Sequence, residues 1–555
     1  MKLTGAEIVV ECLAEQGVEY IFGYPGAATI NIYDEFHKNQ HRITHVLTSH
    51  EQGATHAADG YARSTGKVGV CIGTSGPGAT NLVTGIATAY MDSVPMVAIT
   101  GNVLLSKLGK DSFQEVDIQG ITFPITKHNY MVKDITKLAD VIREAFIIAE
   151  SGRPGPVLID IPKNVTIEST DYEVQVPKPV VKNTDIIIPQ NVYKLIENAK
   201  KPMIIAGGGV IRAEADQELI TFMEKTNSAT ANTLMGIGAT PFKHPLYTGN
   251  IGMHGSLTSN RLLNECDLLM VIGGRFSDRV VGEESKFVQE AKIIHFDVDP
   301  AEINKNVHVD EYVIGDVKVV LKELNQHIKQ KDLREWKDHV TYMIEEFGHK
   351  YKTDTVNVPY IIKKIAEKMG DEDIVTTDVG QHQMWTAQYY PFNQPKKFLT
   401  SGGLGTMGYG LGAAIGASMA NPDKQVVMIT GDGSFKMNFN EIITAVRNKC
   451  PIKIFIMNNL ALGMVRQWQN LFYEDRFSST TLYEDIEYVG FAKSLGAEGY
   501  VIDRLEDIDP VMEAVFSNDK VCVVNCRVKA ESNVYPMVPP GYAVHEAIGS
   551  VDELK

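Results

Sequence analysis

Short, continuous apolar runs that end on Gly-, Asp- or Asn-bearing turns constrain this chain more than any other feature. They include "KVGVCIGTSGPG", "VPMVAITG", "PVLIDIP", "KPMIIAGGG", "DLLMVIGGR", "KIIHFDVD", "DIVTTDVG", "QVVMITGDG" and "IKIFIMNN". Val and Ile follow one another in them without polar alternation, as in strands buried on both faces. Such strands form parallel sheets, and helical patterns follow most of the runs to cover them. The fold class is therefore α/β, with doubly wound parallel sheets.

Two breaks divide the pattern. The stretch from Thr170 to Asp185, "TDYEVQVPKPVVKNTD", is polar and carries prolines that a sheet strand does not accommodate, so it reads as a linker. The charged helical pattern around "IKQKDLREWKDHV" separates another unit. Three α/β domains are expected over 1–168, 186–330 and 355–545. The first and third carry a weak internal echo, "TSGPGATN" and "ITGDGSFKMN", each placing Gly-x-Gly where a strand ends and a helix begins. Open parallel sheets bind ligands at such turns.

Composition narrows the partners. A net charge of −16 repels nucleic-acid phosphates and anionic membranes, and no apolar run is long enough to span a bilayer. The N-terminus carries acids where a secretory signal would be basic and then apolar. The six cysteines are scattered without a CxxC pair, which fits a reducing compartment. Cys522 and Cys526, in "VCVVNCRV", read as strand core. A cytoplasmic protein is expected.

The most informative turn is "TGDGSFKMN". Gly431 and Gly433 allow a tight turn after the strand "VVMIT", and Ser434 opens a helix whose free N–H groups favour phosphate. Asp432 between them would repel phosphate unless a cation intervened. Mg²⁺ meets that need, because it takes hard oxygen ligands and is commonly held by few protein groups plus diphosphate oxygens. Asn459, at the end of the adjacent strand, supplies a neutral oxygen. Twenty-four residues separate Gly433 from Asn458.

GDG followed at this spacing by NN resembles the motif of thiamine diphosphate enzymes, and further matches run almost end to end. Within that superfamily, "DSFQE", "TKHNY", "GGRFSDRV" and "GMVRQWQNLFYEDRFS" resemble the catalytic large subunit of the acetohydroxyacid (acetolactate) synthase family. The resemblance implies that Glu51, in "SHEQGATHAADGYAR", bonds N1′ of the aminopyrimidine, a buried carboxyl sharing its proton with that nitrogen. Tyr24, Pro25 and Gly26 match the pyrimidine-pocket loop, in which Ala27 replaces a usual glycine, and Asn81 closes "GTSGPGATN". Gly380, Gln381 and His382 are assigned to the diphosphate. Gly405 offers a carbonyl to the 4′-amine, and Met407 props the bent cofactor. Gly431, Asp432, Gly433, Ser434, Asn459, Leu462, Gly463 and Met464 complete the cofactor site, with Asp432, Asn459 and Ala461 as metal ligands.

The family joins two 2-ketoacids. Pyruvate loses CO₂ and the remaining two-carbon unit is ligated to a second pyruvate or to 2-ketobutyrate, the first common step toward valine, leucine and isoleucine. By resemblance, Arg279 pairs with the carboxylate of the second ketoacid, where its planar fork suits bidentate contact. Trp468 shapes the acceptor pocket, and Phe113, Gln114 and Lys163 line the same channel. The glycine turns of the central region resemble a flavin site that would hold a redox-silent FAD. Its residues would be Gly207, Gly208, Thr233, Leu234, Met253, His254, Gly274, Arg275, Asp278, Asp297 and Asp316. The segment "RFSDR" departs from a frequent "RFDDR" at Ser277, and "GNVLLSKLG" departs where relatives frequently carry a proline and basic residues. A homodimer or homotetramer is implied, together with a small regulatory subunit. A flavin-free fermentative relative, or a pyruvate oxidase or decarboxylase, would use the same early chemistry.

Overall fold

The computed structural model, which describes residues 1–180, 186–348 and 350–554, contains three six-stranded sheets in which every paired strand is parallel. Part of the expected linker, 181–185, lies outside the described residues. In the first sheet the strands lie in the order Thr44–Leu47, Tyr20–Gly23, Gly69–Gly73, Met96–Asn102, Pro156–Pro162, His128–Met131. In the third the order is Phe398–Leu399, Ile374–Thr377, Val426–Gly431, Lys453–Asn458, Cys522–Arg527, Glu498–Ile502. Numbered along the chain within each sheet, both read 2-1-3-4-6-5, so the echo of two turns extends to a shared topology.

The central sheet reads 3-2-1-4-5-6 on the same convention, the doubly wound dinucleotide-binding order. Its strands are Tyr247–Asn250, Ala229–Asn232, Pro202–Ala206, Leu268–Ile272, Lys292–Asp297 and Glu311–Ile314. Strand order reverses between the first and third strands of the outer sheets, and between Pro202–Ala206 and Leu268–Ile272 in the central one. Open parallel sheets bind ligands at the carboxyl edge of such reversals.

The continuous apolar runs are explained by burial on both faces. Val97, Ile99, Val157 and Ile159 face one core cluster, while Met96, Ala98 and Leu158 face another, all fully buried. Each Val, Ile, Leu or Met among them contributes roughly 1.5–3 kcal/mol by leaving water. Cys522 and Cys526 are buried free thiols in a strand, as the sequence implies. Ser169–Asp171 pairs antiparallel with Lys2–Thr4, and Tyr172 is buried, so the first unit runs on past 168. Trp336, Val340 and Met343 of the helix Arg334–Phe347 are buried with Leu269 and Val271, which carries the central unit past 330.

The first and third units meet through topologically equivalent helices, Glu51–Thr65 and Tyr409–Ala420, each leading into the third strand of its own sheet. Glycine makes the approach possible. A Cβ on Gly416 would lie 1.9 Å from the Ala57 carbonyl oxygen, and one on Gly60 would lie 2.2 Å from that of Ala413.

Candidate active site

Two groups of residues gather at two different sheet edges. At the third sheet, the strand Ile374–Thr377 ends in Asp378, whose buried carboxylate accepts hydrogen bonds from Gly410 N–H at 2.7 Å and Thr430 Oγ1 at 2.6 Å. These bonds pin the reversal point. Gly380, at φ +151°, then starts the helix Gln381–Tyr389 without a side-chain cap, leaving its first N–H groups free for a ligand. The Ser434 hydroxyl donates to the Val379 carbonyl at 3.0 Å and ties the GDG turn to this loop.

Asp432 is 2% exposed, and burial pushes its carboxyl up to about 6, against the pull of nearby backbone N–H groups that include Leu460. Its Oδ2 has no protein partner, nor do the buried Gln381 Oε1 and His382 Nε2. Three orphaned polar atoms at one edge describe a surface completed by something polar. Burial draws His382 down to about 4, so its ring is neutral near pH 7. Asn459 Oδ1 accepts from Ala461 N–H at 3.1 Å, shaping the turn in which Leu460 takes φ +52°. Gly463 leaves room for the Gln381 side chain, whose Oε1 would lie 2.1 Å from a Cβ there. Among the described residues no group of three or more His, Cys, Asp or Glu is arranged to hold a metal. A cation at Asp432 would therefore rest on one carboxylate, neutral oxygens and the ligand.

The second group lies on the carboxyl edge of the first sheet. Glu51 opens the helix Glu51–Thr65, is 8% exposed, and accepts a hydrogen bond from Asn81 Nδ2 at 2.9 Å. A Cβ on Gly78 would stand 2.7 Å from Thr74 and 3.1 Å from Glu51 Oε1, so this glycine lets the backbone approach the carboxylate, while one on Gly26 would stand 2.4 Å from Thr74. Tyr24 and Pro25 are exposed. Gln114 takes φ +59° and packs on Gly76, while Phe113 is 87% exposed. Lys163 follows directly on the strand Pro156–Pro162.

A cavity of about 1030 Å³ runs between the central and third units. Gly208, Thr233, Leu234, Met253, His254, Gly274, Arg275, Asp278, Asp297 and Asp316 line it from the central unit, and Gly380, Gly405, Met407, Met464 and Trp468 from the third. Gly207 lies just behind, its Cα hydrogens against the Gly273 carbonyl. Arg279 reaches the cavity rim, largely exposed, 3.6 Å from Asp278 and 3.5 Å from the Met253 sulfur. Asp316 also caps the helix Val317–His327 by accepting from Lys318 N–H. Burial raises Asp297 to about 6, lowers Arg212 to about 10, and draws Arg275 below the usual guanidinium range.

Sequence reasoning missed Arg153, Arg212 and Glu302 in these walls. Arg153 comes from the first unit, donating to Glu302 Oε1 at 2.9 Å and to Ser93 Oγ at 2.8 Å. Its signal was a basic residue in the turn "SGRPGP" ahead of a strand. Also unforeseen was the tether on the Gly402–Met407 loop. Asp92 accepts from Gly403 N–H at 2.7 Å and Gly402 N–H at 3.0 Å, and the buried Arg63 bridges it to Asp59. Glu51, Tyr24, Gln114 and Lys163 do not line the cavity that Met407 and Trp468 enter.

Comparison with known proteins finds three family domains along the chain. The N-terminal TPP binding domain of thiamine pyrophosphate enzymes matches residues 3–121, their central domain 190–324, and their C-terminal TPP binding domain 378–526. Three such domains in this order, with glycine turns at all three crevices, define a thiamine diphosphate-dependent enzyme. The acetolactate synthase isozyme 2 large subunit of Escherichia coli K12 is 42% identical over 552 residues, covering 98% of this chain and 99% of the relative. The acetolactate synthase large subunit of Corynebacterium glutamicum is 45% identical over 97% of this chain and 89% of its own length. A probable acetolactate synthase large subunit of Methanococcus aeolicus is 43% identical, covering 99% of this chain and 96% of the relative. The chain belongs to the acetolactate synthase large-subunit family. Among the described residues no helix is long and apolar enough to cross a membrane.

Proposed function

We propose that the chain is the catalytic subunit that converts two 2-ketoacids to an acetohydroxyacid: pyruvate is decarboxylated and its two-carbon unit is joined to a second pyruvate or to 2-ketobutyrate. The observation that carries this reading is the set of buried, orphaned polar atoms at the third sheet's reversal point, Asp432 Oδ2, Gln381 Oε1 and His382 Nε2, in a chain of this family. When bound, thiamine diphosphate supplies the nucleophilic carbon that decarboxylation and carbon–carbon bond formation require.

The residues present fit that cofactor and its cation. Asp432, the Asn459 amide oxygen and the Ala461 carbonyl would hold Mg²⁺, which favours few protein oxygens beside a diphosphate. Gly431 and Gly433 let the backbone approach, and Ser434, Leu462, Gly463 and Met464 wall the turn. Glu51, kept in line by Asn81, would bond the aminopyrimidine N1′, and Tyr24, Pro25 and Gly26 would line its pocket. Met407 would support the cofactor and Gly405 would offer it a carbonyl. Arg279 binds the acceptor carboxylate, while Trp468, Gln114, Phe113 and Lys163 limit the acceptor's size and keep water out.

The residues also fit FAD in the central cavity. Its volume, the glycines at the Rossmann-order reversal, the guanidinium groups of Arg153, Arg212 and Arg275, and the buried Asp297 suit phosphates at one end and ribose hydroxyls at the other. Neither decarboxylation nor ligation transfers net electrons, so the flavin serves as part of the wall. Because Glu51 does not line the cavity that Met407 enters, a complete site takes Glu51 from one protomer and Asp432 from another, making the enzyme at least a dimer. A small regulatory subunit joins the assembly, as the relatives' designation as large subunits suggests.

The test is a product assay on stripped protein. Adding back thiamine diphosphate, Mg²⁺ and FAD should restore acetolactate formation from pyruvate. Acetaldehyde or acetyl phosphate as the main product would overturn the assignment, and full activity without FAD would point to the flavin-free relative.

A further inference from the structure

The buried carboxylate of Glu441 has no place in the chemistry above, yet it touches the backbone that carries Glu51. It ends the turn Phe439–Glu441, nine residues after Asp432, and is fully buried. Its Oε1 accepts from Ser49 N–H at 3.0 Å and His50 N–H at 2.9 Å. Its Oε2 accepts from Thr444 Oγ1 at 2.6 Å and lies 3.1 Å from Ser49 N. His50 is the N-cap of the helix Glu51–Thr65, and its ring accepts from Gln52 N–H, so Glu441 satisfies donors that the cap leaves free. A negative group at this end also suits the helix dipole. Two neighbours strengthen the junction: Ser49 Oγ donates to the Asn440 carbonyl at 3.1 Å, and Arg447 donates to the Leu47 carbonyl at 2.9 Å. Gly53 makes room for the carboxylate, since a Cβ there would lie 2.3 Å from Glu441 Oε1.

We infer that Glu441 is a positioning residue for the reaction: by gripping the Ser49 and His50 amides it fixes the direction in which Glu51 leaves the helix. It does so from the segment that runs on from Asp432, so the aim of Glu51 follows the state of the diphosphate turn in the same chain. Where Glu51 and Asp432 of one chain serve different sites, Glu441 links those sites mechanically. The inference rests on the roles proposed above for Glu51 and Asp432.

The experiment uses full-length protein reconstituted with thiamine diphosphate, Mg²⁺ and FAD. Glu441→Ala should lower kcat at least ~30-fold, in keeping with a displacement of the reacting group by under an ångström, and slow hydrogen–deuterium exchange at the thiamine C2 in parallel. KM for pyruvate and the cofactor Kd should stay within about threefold, because no ligand contact is removed. Glu441→Gln keeps one oxygen able to accept both N–H groups and should recover activity to within about fivefold of the parent. Should Glu441→Ala fail to fold, Gly53→Ala displaces the carboxylate without deleting it and should reproduce the loss in kcat and exchange. Unchanged C2 exchange in either folded variant would overturn the inference, as would a loss confined to cofactor affinity. Glu51→Gln run alongside separates the two readings: if it remains fully active, the role of Glu51 itself is wrong, whereas an inactive Glu51→Gln beside a fully active Glu441→Ala refutes only the positioning role.

Discussion

Gly416→Ala puts the contact between the first and third units to a direct test. The added Cβ would sit 1.9 Å from the Ala57 carbonyl oxygen and 2.8 Å from its carbon, whereas real Cβ atoms essentially never come under 3.0 Å. Backbone on both sides blocks any rotamer escape, so the helices Glu51–Thr65 and Tyr409–Ala420 must part by at least 3.0 − 1.9 = 1.1 Å. Overpacking of this kind costs about 1–3 kcal/mol. One of these helices begins with Glu51, and a misplacement of about 1 Å at a reacting group costs on the order of 100-fold in rate. Gly416→Ala should therefore lower acetolactate formation about 100-fold and reduce the thermal midpoint. Gly370→Ala is the control, since its Cβ would meet only Asp373 Oδ2, at 3.5 Å. Activity within about twofold of the parent, with an unchanged midpoint, would refute the argument that glycine sets the distance between these helices.

Asp432→Asn should separate stability from function. The folded carboxyl sits at about 6, above its unfolded value near 3.8, so the ligand-free fold loses stability as pH rises between these values. Above them it carries a constant penalty of about 3 kcal/mol. Ligand-free Asp432→Asn should thus resist urea better than the parent at pH 7.5, with the advantage gone below about pH 4, while failing to retain thiamine diphosphate and Mg²⁺. Equal stability at pH 7.5, or retained cofactor, would contradict this. Co-refolding Glu51→Gln chains with Asp432→Asn chains should restore one intact site per mixed dimer; no recovery would mean that sites are built within a chain. Purified protein should be yellow and should form acetolactate without taking up oxygen, and a redox-inactive flavin analogue should replace FAD; oxygen uptake matching pyruvate use would indicate an oxidase.

What could be read from the sequence was local in origin. The strands before Gly431 and Asn458 declared themselves through unbroken Val/Ile/Met runs, and the glycines flanking Asp432 announced the turn because few other residues permit it. The third sheet's edge strand, Phe398–Leu399, has two residues and no pattern to detect. The pairing of Lys2–Thr4 with Ser169–Asp171 depends on the chain returning to its start, which no window of sequence contains. Helix Arg334–Phe347 looked like a charged divider because only Trp336, Val340 and Met343, spaced along one face, enter the core. Glu441 was invisible for the same reason: its acceptor role is defined by amides 391 and 392 positions earlier. Arg153 reaches a cavity built mainly by the other two units, so its surroundings are tertiary.

The equivalent helices Glu51–Thr65 and Tyr409–Ala420 make the first and third units resemble a two-fold pair joined in one chain through the central unit. In a true dimer of this kind, one substitution appears on both sides of the contact at once. Here the two sides have separate codons, so Gly60 and Gly416 can vary independently, and one half has become the bearer of Glu51 while the other carries Asp432. Covalent fusion also holds the halves together at any protein concentration, with a one-to-one ratio that dilution cannot disturb. Dilution should consequently inactivate the enzyme only by separating whole chains, leaving this glycine-lined seam closed in every protomer.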